Sequence, residues 1–337
     1  MAASFHDPPS RLDRPRVIVT RRLPEPVEQR MRELFDVVLP DEDRPMDRDA
    51  LSAAVAECDV LVPTITDRID AALIERAGPR LKLIANFGNG VDHIALPAAR
   101  AAGILVANTP GVLTDDTADM AMALILAVPR RLAEGERIAR SGQWRGWSPC
   151  GMLGHRISGK TLGILGMGRI GQAVARRARG FGLDIRYHNR RRLTPPQEEA
   201  LGAVYLPTAD ALMRDADIVS IHCPLTSETR GLVDARRLAL LGPSGHLVNI
   251  ARGEIVDQAA LIDALEGGGI AGAALDVFDH EPAIDARLLA CDNALLLPHM
   301  ASATHEARSA QGSKVIANIR AWADGHRPPD QVLEGWA

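Results

Sequence analysis

The chain has 337 residues, 46% hydrophobic and 24% charged, a balance ordinary for a globular protein and a length suited to about two domains. A formal net charge of −4 carries no basic footprint for nucleic acid, and the longest strongly apolar run, residues 120–129, is too short to span a bilayer. Cys58, Cys150, Cys223 and Cys291 lie far apart without a C-x-x-C pair, so they read as small apolar thiols in a reducing cytoplasm, with no disulfide framework and no metal site expected.

Residues 1–14 are polar and rich in Pro and charge, lack a signal-peptide apolar region, and read as a flexible tail. Strands are then predicted at 17–20, 37–39, 60–62, 81–86 and 104–107, separated by helices at 25–34, 47–57, 71–77 and 96–102. Asp47 is placed to cap the second helix. Pro24 and Pro26 sit around the first turn of the first helix, where N–H groups lack partners anyway. Strands alternating with helices argue for a parallel sheet. The turn-rich Asn108-Thr109-Pro110-Gly111 ends this unit. One long helical pattern follows from 114 to about 141, then a loop with Trp144, Trp147, Pro149 and Cys150.

A short apolar strand at 162–165 feeds into Gly166, Gly168 and Gly171, which fit G-x-G-x-x-G, with Arg169 and Ile170 opening the next helix. The first Gly permits a tight turn, the second lets backbone approach a pyrophosphate, and the third lets helix and strand pack closely. The helix N-terminus then offers free N–H groups and partial positive charge to phosphates. The motif alone is weak, since glycines also mark ordinary turns; the strand before it and the helix after it supply the context it requires. Further strands are predicted at 184–188, 203–206, 217–222, 245–250, 273–277 and 294–298, with helices at 209–214, capped by Thr208, and at 257–266. The last helix, about 304–324, leaves this unit and is expected to pack on the first.

The expected fold is therefore α/β, with two Rossmann-like or flavodoxin-like parallel-sheet domains. Residues 15–107 and 300–337 form one domain, and the nucleotide-binding domain, 108–299, is inserted into it.

In open parallel sheets the ligand crevice lies beyond the carboxyl ends of the strands. Arg252 stands there, after the strand at 245–250, where its fixed fork could hold a carboxylate; the alternative is a surface Arg paired with Glu254 or Asp257. Asp276 and Glu281 follow the next strand, and His299 the last. A lone His is more often structural. His299 is nevertheless a candidate general acid, because imidazole titrates near neutrality and an acidic neighbour such as Glu281 favours imidazolium. In the first unit, Asn89 and Gly90 follow a strand and offer backbone N–H groups as an anion nest, or form a plain tight turn. Thr64 and Thr66 are a weaker suggestion of the same kind.

The nicotinamide cofactor can be read from the end of the second strand of the inserted unit. An NAD site wants Asp or Glu about 20 residues past the glycines, on the ribose hydroxyls. The chain has Asn189-Arg190-Arg191 instead. No carboxylate repels a 2′-phosphate, and Arg190 and Arg191 could pair with one; the bland alternative is a solvated basic loop. NADPH is the expected cofactor, with NADH weaker.

With these motifs in place, the chain resembles the D-isomer-specific 2-hydroxyacid dehydrogenases, and within them the glyoxylate/hydroxypyruvate reductases, over about residues 15–325. The glycine turn resembles the family's nucleotide fingerprint. His222-Cys223-Pro224-Leu225-Thr226, with Thr229 beyond, resembles its cofactor-side loop. The segment from Asn249 and Ile250 through Arg252 to Asp257 is similar to that of the catalytic Arg, Asp276 to Pro282 to that of the catalytic Glu, and Pro298 to Thr304 to that of the catalytic His. The resemblance implies that Arg252 and the N–H groups near Asn89 and Gly90 bind the carboxylate of a small 2-oxoacid, that His299 protonates the oxygen, and that Glu281 tunes it. It implies cofactor contacts from Asp276, Thr117 and Ile250, and a cytoplasmic homodimer joined through the nucleotide domains, without nucleic-acid or membrane partners. Trp144 and Trp147 then either reach a neighbouring active site or pack at that interface.

Formate dehydrogenases of the family have Gln where this chain has Glu281, so a retained Glu–His pair favours ketoacid chemistry. Too few residues follow His299 for the regulatory domain that phosphoglycerate dehydrogenases often carry. The alternatives are another substrate, such as a bulkier D-2-ketoacid or phosphite, and a non-catalytic nucleotide-sensing protein, which needs no proton donor.

Overall fold

The structure, a computed structural model, describes residues 14–333; the tail expected at 1–14 lies, apart from Arg14, outside the described residues. The chain divides into two compact units. One runs to Leu113 and resumes at Thr304, and the other comprises Thr114–Ala303, so the second is inserted into the first along the chain.

The first unit holds β1 (Arg16–Val19), β2 (Asp36–Val38), β3 (Val60–Val62), β4 (Leu83–Ala85) and β5 (Leu105–Ala107), all parallel, in the order β2-β1-β3-β4-β5. This is the flavodoxin-like order. Successive side chains point to opposite faces of the sheet. Val17, Val19, Val60 and Leu83 therefore pack on one side with Met31 of helix Glu25–Leu34 and Val315 of helix His305–Ala323, while Ile18, Leu61 and Ile84 pack on the other. Both faces are covered, which is why these strands read as continuous apolar runs. Gly312 lets the last helix lie against Val27, where a Cβ would overlap the valine methyls. The predicted caps form: Asp47 accepts from Ala50 N at 2.8 Å, and in the second unit Thr208 from Ala211 N at 3.1 Å; Thr304 also caps the last helix, accepting from Ala307 N at 3.0 Å.

The second unit holds β6 (Thr161–Leu165), β7 (Asp184–His188), β8 (Ala203–Tyr205), β9 (Ile218–Ile221), β10 (His246–Asn249), β11 (Gly272–Leu275) and β12 (Ala294–Leu296). All pairs are parallel, in the order β12-β11-β10-β9-β6-β7-β8. Counted within the unit, this is the 3-2-1-4-5-6 order of dinucleotide-binding folds with one strand added, and its direction reverses between β6 and β9. The fold is thus α/β with two parallel sheets, as the alternation of elements predicts.

The long helix expected from 114 is two helices, Thr114–Ala127 and Leu132–Arg140. Pro129 lacks the N–H that would continue the first, and Arg131 takes a left-handed backbone, φ 54°. Helices Pro195–Leu201, Ala235–Leu241 and Ala286–Ala290 were not expected. The first has a capping box between Thr194 and Gln197, and Asp234 caps the second.

Candidate active site

The glycine turn sits at the carboxyl end of β6, beside the reversal of strand order. Gly166 has φ +99°, and a Cβ there would lie 2.5 Å from the backbone N of Cys223, which follows β9. Gly171 lies so close to the Gly166 carbonyl that any Cβ would overlap it. Around Gly168, by contrast, a Cβ would meet nothing within 4 Å. The first and third glycines are thus required by the protein's own packing, and the second opens onto free space at the N-terminus of helix Arg169–Gly180. Gly168 is the N-cap and provides no side-chain cap for the first-turn N–H groups of Arg169 and Ile170. The hydroxyl of Thr117 is buried with no hydrogen-bond partner, and Ile250 is buried. An uncapped helix start and open space at Gly168 fit a phosphate-bearing dinucleotide.

β7 ends at His188. Asn189 closes the next turn by donating from Nδ2 to the Arg191 carbonyl at 2.9 Å, while Arg190 and Arg191 are exposed. Arg192 is committed elsewhere: it bonds both carboxylate oxygens of Glu198, at 2.9 and 2.8 Å, and lies over the Tyr205 ring. Tyr187 OH donates to Glu198 at 2.6 Å and accepts the Leu193 N–H at 2.9 Å. Bonds from Arg192 and Tyr187 hold the Glu198 carboxyl at about 2, and burial together with Glu198 pushes the Tyr187 hydroxyl up to about 12. Helix Pro195–Leu201 therefore anchors the loop that carries Asn189, Arg190 and Arg191. Across the reversal, Cys223 and Pro224 begin a loop that is closed on itself. The Thr229 hydroxyl donates to the Pro224 carbonyl at 2.7 Å and accepts the Thr226 N–H at 2.7 Å.

Arg252, Asp276, Glu281 and His299 follow β10, β11 and β12 at their carboxyl ends. Asn249 staples the first of these loops, donating from Nδ2 to the Arg252 carbonyl at 2.8 Å and accepting the Ala251 N–H at 3.0 Å. Gly253 then presses against the backbone of Phe278, where a Cβ would overlap the carbonyl group. This draws the Arg252 loop against the loop of Glu281. Asp257 is spent as the cap of helix Gln258–Glu266, accepting from Ala260 N at 3.1 Å.

Nδ1 of His299 lies 2.7 Å from Oε2 of Glu281, whose Oε1 accepts the Phe278 N–H at 3.0 Å. The side chains remain 29% and 32% exposed, so a substrate can reach them. Burial pushes the Glu281 carboxyl up, but the bond and charge of His299, the Phe278 N–H and the charge of Arg252 outweigh it and hold the group below the usual carboxylate range. Because a carboxylate only accepts, Nδ1 carries the proton in this bond, and Nε2 is left to face a reactant. Asp276 is fully buried and accepts the N–H groups of Met300 and Ala301, both at 2.7 Å. Burial still leaves its carboxyl above the ordinary value. These two bonds hold the turn in which His299 takes a left-handed backbone, φ 53°. The arrangement can deliver a proton from a fixed imidazole beside a guanidinium.

In the first unit, Asn89 and Gly90 are half-buried just beyond β4. Thr64 and Thr66 face one another, Oγ1 to Oγ1, at 3.0 Å.

Sequence reasoning missed Asn249 and Gly253, which shape the Arg252 loop without carrying reactive groups. The glycine between Arg252 and Glu254 was the available signal. Trp144 and Trp147 are 67% and 84% exposed. Among the described residues, no cluster of His, Cys, Asp or Glu is arranged to hold a metal ion, and no helix is long and apolar enough to cross a membrane.

The family described as D-isomer specific 2-hydroxyacid dehydrogenase, NAD binding domain, matches residues 122–301. A glyoxylate reductase of Thermococcus litoralis is 45% identical over 95% of this chain and 97% of its own length. A glyoxylate reductase of Aeropyrum pernix is 45% identical over 95% and 96%. Among solved structures, an NADPH-dependent glyoxylate/hydroxypyruvate reductase from Sinorhizobium meliloti, in complex with NADP and malonate, superposes with a TM-score of 0.85 at 37% identity, covering 95% of this chain and 97% of that one.

Proposed function

The chain belongs to the D-isomer specific 2-hydroxyacid dehydrogenase family, an oxidoreductase family, and on that premise we propose that it reduces a small 2-oxoacid, glyoxylate or hydroxypyruvate, to the D-2-hydroxyacid with NADPH. The observation that carries this reading is the Glu281–His299 pair at 2.7 Å, held beside Arg252 at the strand ends of a dinucleotide-binding sheet.

When bound, a nicotinamide cofactor supplies the hydride for the carbonyl carbon. Gly166, Gly168, Arg169 and Ile170 would hold its pyrophosphate at the helix start, and Thr117, Ile250, Cys223, Pro224, Thr229 and Asp276 would contact the rest of it. Arg252 pairs with the substrate carboxylate and polarises the ketone, and the N–H groups of Asn89 and Gly90 also serve that carboxylate. His299 gives its Nε2 proton to the carbonyl oxygen. Glu281 keeps the ring oriented through its bond to Nδ1. Residues 15–107 with 300–337 act as the substrate-binding domain, and 108–299 as the nucleotide-binding domain.

NADPH is favoured because Asn189 replaces the carboxylate that would repel a 2′-phosphate, and Arg190 and Arg191 stand exposed beside it. The S. meliloti reductase, solved with NADP, supports the same choice. Exposed Leu132, Trp144, Trp147 and Leu153 in the second unit support a homodimer formed through that unit. Loss of NADPH absorbance with glyoxylate and hydroxypyruvate tests the activity. No turnover with any 2-oxoacid despite tight NADPH binding returns the reading to a nucleotide sensor. Sedimentation of the purified chain tests the dimer.

A further inference from the structure

Three consecutive peptide carbonyls in the loop after β4 are captured by the fold itself. Asn86, fully buried, donates from Nδ2 to the carbonyls of Gly88 at 3.1 Å and Gly90 at 2.8 Å. Asn108, also buried, donates from Nδ2 to the carbonyl of Asn89 at 2.7 Å. The Thr109 N–H adds a second bond to the Gly88 carbonyl at 3.0 Å. In a planar trans peptide the carbonyl of one residue and the N–H of the next point in opposite directions. Fixing the carbonyls of Gly88, Asn89 and Gly90 therefore aims the N–H groups of Asn89, Gly90 and Val91 away from the clamp. Among the described residues, none of these three N–H groups has an acceptor.

The clamp is itself rigid. Asn86 N bonds the Ala107 carbonyl at 2.8 Å at the end of β5, and Asn108 N bonds the Asp330 carbonyl at 3.2 Å. Nε2 of His93 lies 3.1 Å from Oδ1 of Asn86. With Nδ2 donating to two carbonyls, Oδ1 must accept, so His93 Nε2 is the donor and the amide cannot flip without placing an oxygen against two oxygens.

We propose that Asn86 and Asn108 are positioning residues for 2-oxoacid binding: by holding three carbonyls they present the N–H groups of Asn89, Gly90 and Val91 as a preorganised row of donors for the substrate carboxylate. This rests on the 2-oxoacid reading above. Donors held in place before binding lose little entropy when the anion arrives, whereas freed peptides must be ordered by the substrate. The clamp therefore acts on substrate affinity and leaves cofactor binding and proton transfer alone.

The test compares the full-length wild type with Asn86→Ser and Asn108→Ala. Steady-state KM and kcat for glyoxylate are read together with inhibition by oxamate, a carboxylate isostere of a 2-oxoacid, and NADPH binding without substrate. The expected result is a rise of about tenfold or more in KM and in the oxamate inhibition constant, kcat within about threefold, and unchanged NADPH binding; tenfold corresponds to about 1.4 kcal/mol. Asn108→Ala removes a single bond of the clamp, so it gives the same reading should Asn86→Ser fail to fold. Folded variants with KM and oxamate inhibition within twofold of wild type overturn the proposal, as does a parallel loss of NADPH binding. A wild type that reduces no 2-oxoacid overturns the functional reading along with it, whereas an active wild type with indifferent variants overturns the clamp alone.

Discussion

Oε2 of Glu281 meets Nδ1 of His299 at 2.7 Å although eighteen positions separate them in the chain. The other carboxylate oxygen is tied to the Phe278 N–H, so Glu281 cannot swing away from the ring. Glu281→Gln keeps a hydrogen-bonding group there but removes the carboxylate that accepts from Nδ1 of His299. The expected outcome is a fall in kcat of roughly 10–100-fold, because the ring loses the acceptor that orients it. His299→Gln is expected to lose about 10²–10⁴-fold. Rates of NADPH oxidation with glyoxylate between pH 5 and 9 measure both. A Glu281→Gln rate equal to wild type would show that the carboxylate does not orient the proton donor.

Asn189→Asp places a carboxylate at the end of β7, where it would accept from ribose hydroxyls and repel a 2′-phosphate. The ratio of kcat/KM with NADPH to that with NADH is expected to drop by at least about tenfold, equivalent to roughly 1.4 kcal/mol. Retention of the full wild-type preference for NADPH refutes the role assigned to this loop.

Gly253→Ala inserts a methyl where the backbone of Phe278 already lies. Neither partner is a flexible side chain, so the two loops must separate. A loss of about 1–3 kcal/mol in urea unfolding is expected, with a raised KM for the 2-oxoacid as Arg252 shifts. Wild-type stability would mean that the close approach is dispensable.

Glu198→Gln tests the anchor beneath the cofactor loop. The Glu198 carboxyl titrates at about 2, below an ordinary glutamate. An acid depressed in the folded state stabilises fully above its unfolded value and loses that contribution as pH falls through the folded one. The variant is therefore expected to unfold at lower urea than wild type at pH 6, with the gap closing as pH falls from about 4.3 toward 2. A gap independent of pH would point to lost packing instead of lost charge.

Much of this architecture is legible along the chain because its signals are local. Alternating apolar runs and helical patterns lead to both parallel sheets, and Asp47, Thr208 and Thr304 each cap the helix they precede. The capping box of Thr194 and Gln197 is a local signal of the same kind, and Pro195 and Pro196 fall in the first turn, where missing N–H groups are tolerated. The break at Pro129 is less legible, because strong helical periodicity on both sides masks one missing N–H.

What the sequence by itself determined is the alternation of elements, the glycine turn and the arrival of an Arg, a Glu and a His each after a strand. These follow from propensities and caps that act over a few residues. Only the tertiary structure decided that Glu281 reaches His299, that Asp276 holds the turn of His299 from beneath, that Arg192 is spent on Glu198, and that Asn86 and Asn108 orient one short loop. The contacts of Glu281, Asp276 and Asn108 join segments distant in the chain, whereas those of Arg192 and Asn86 span only six and four positions but depend on how the loops fold. Their distances are set by which strands become neighbours and how closely glycines let the loops approach, and no local pattern encodes either.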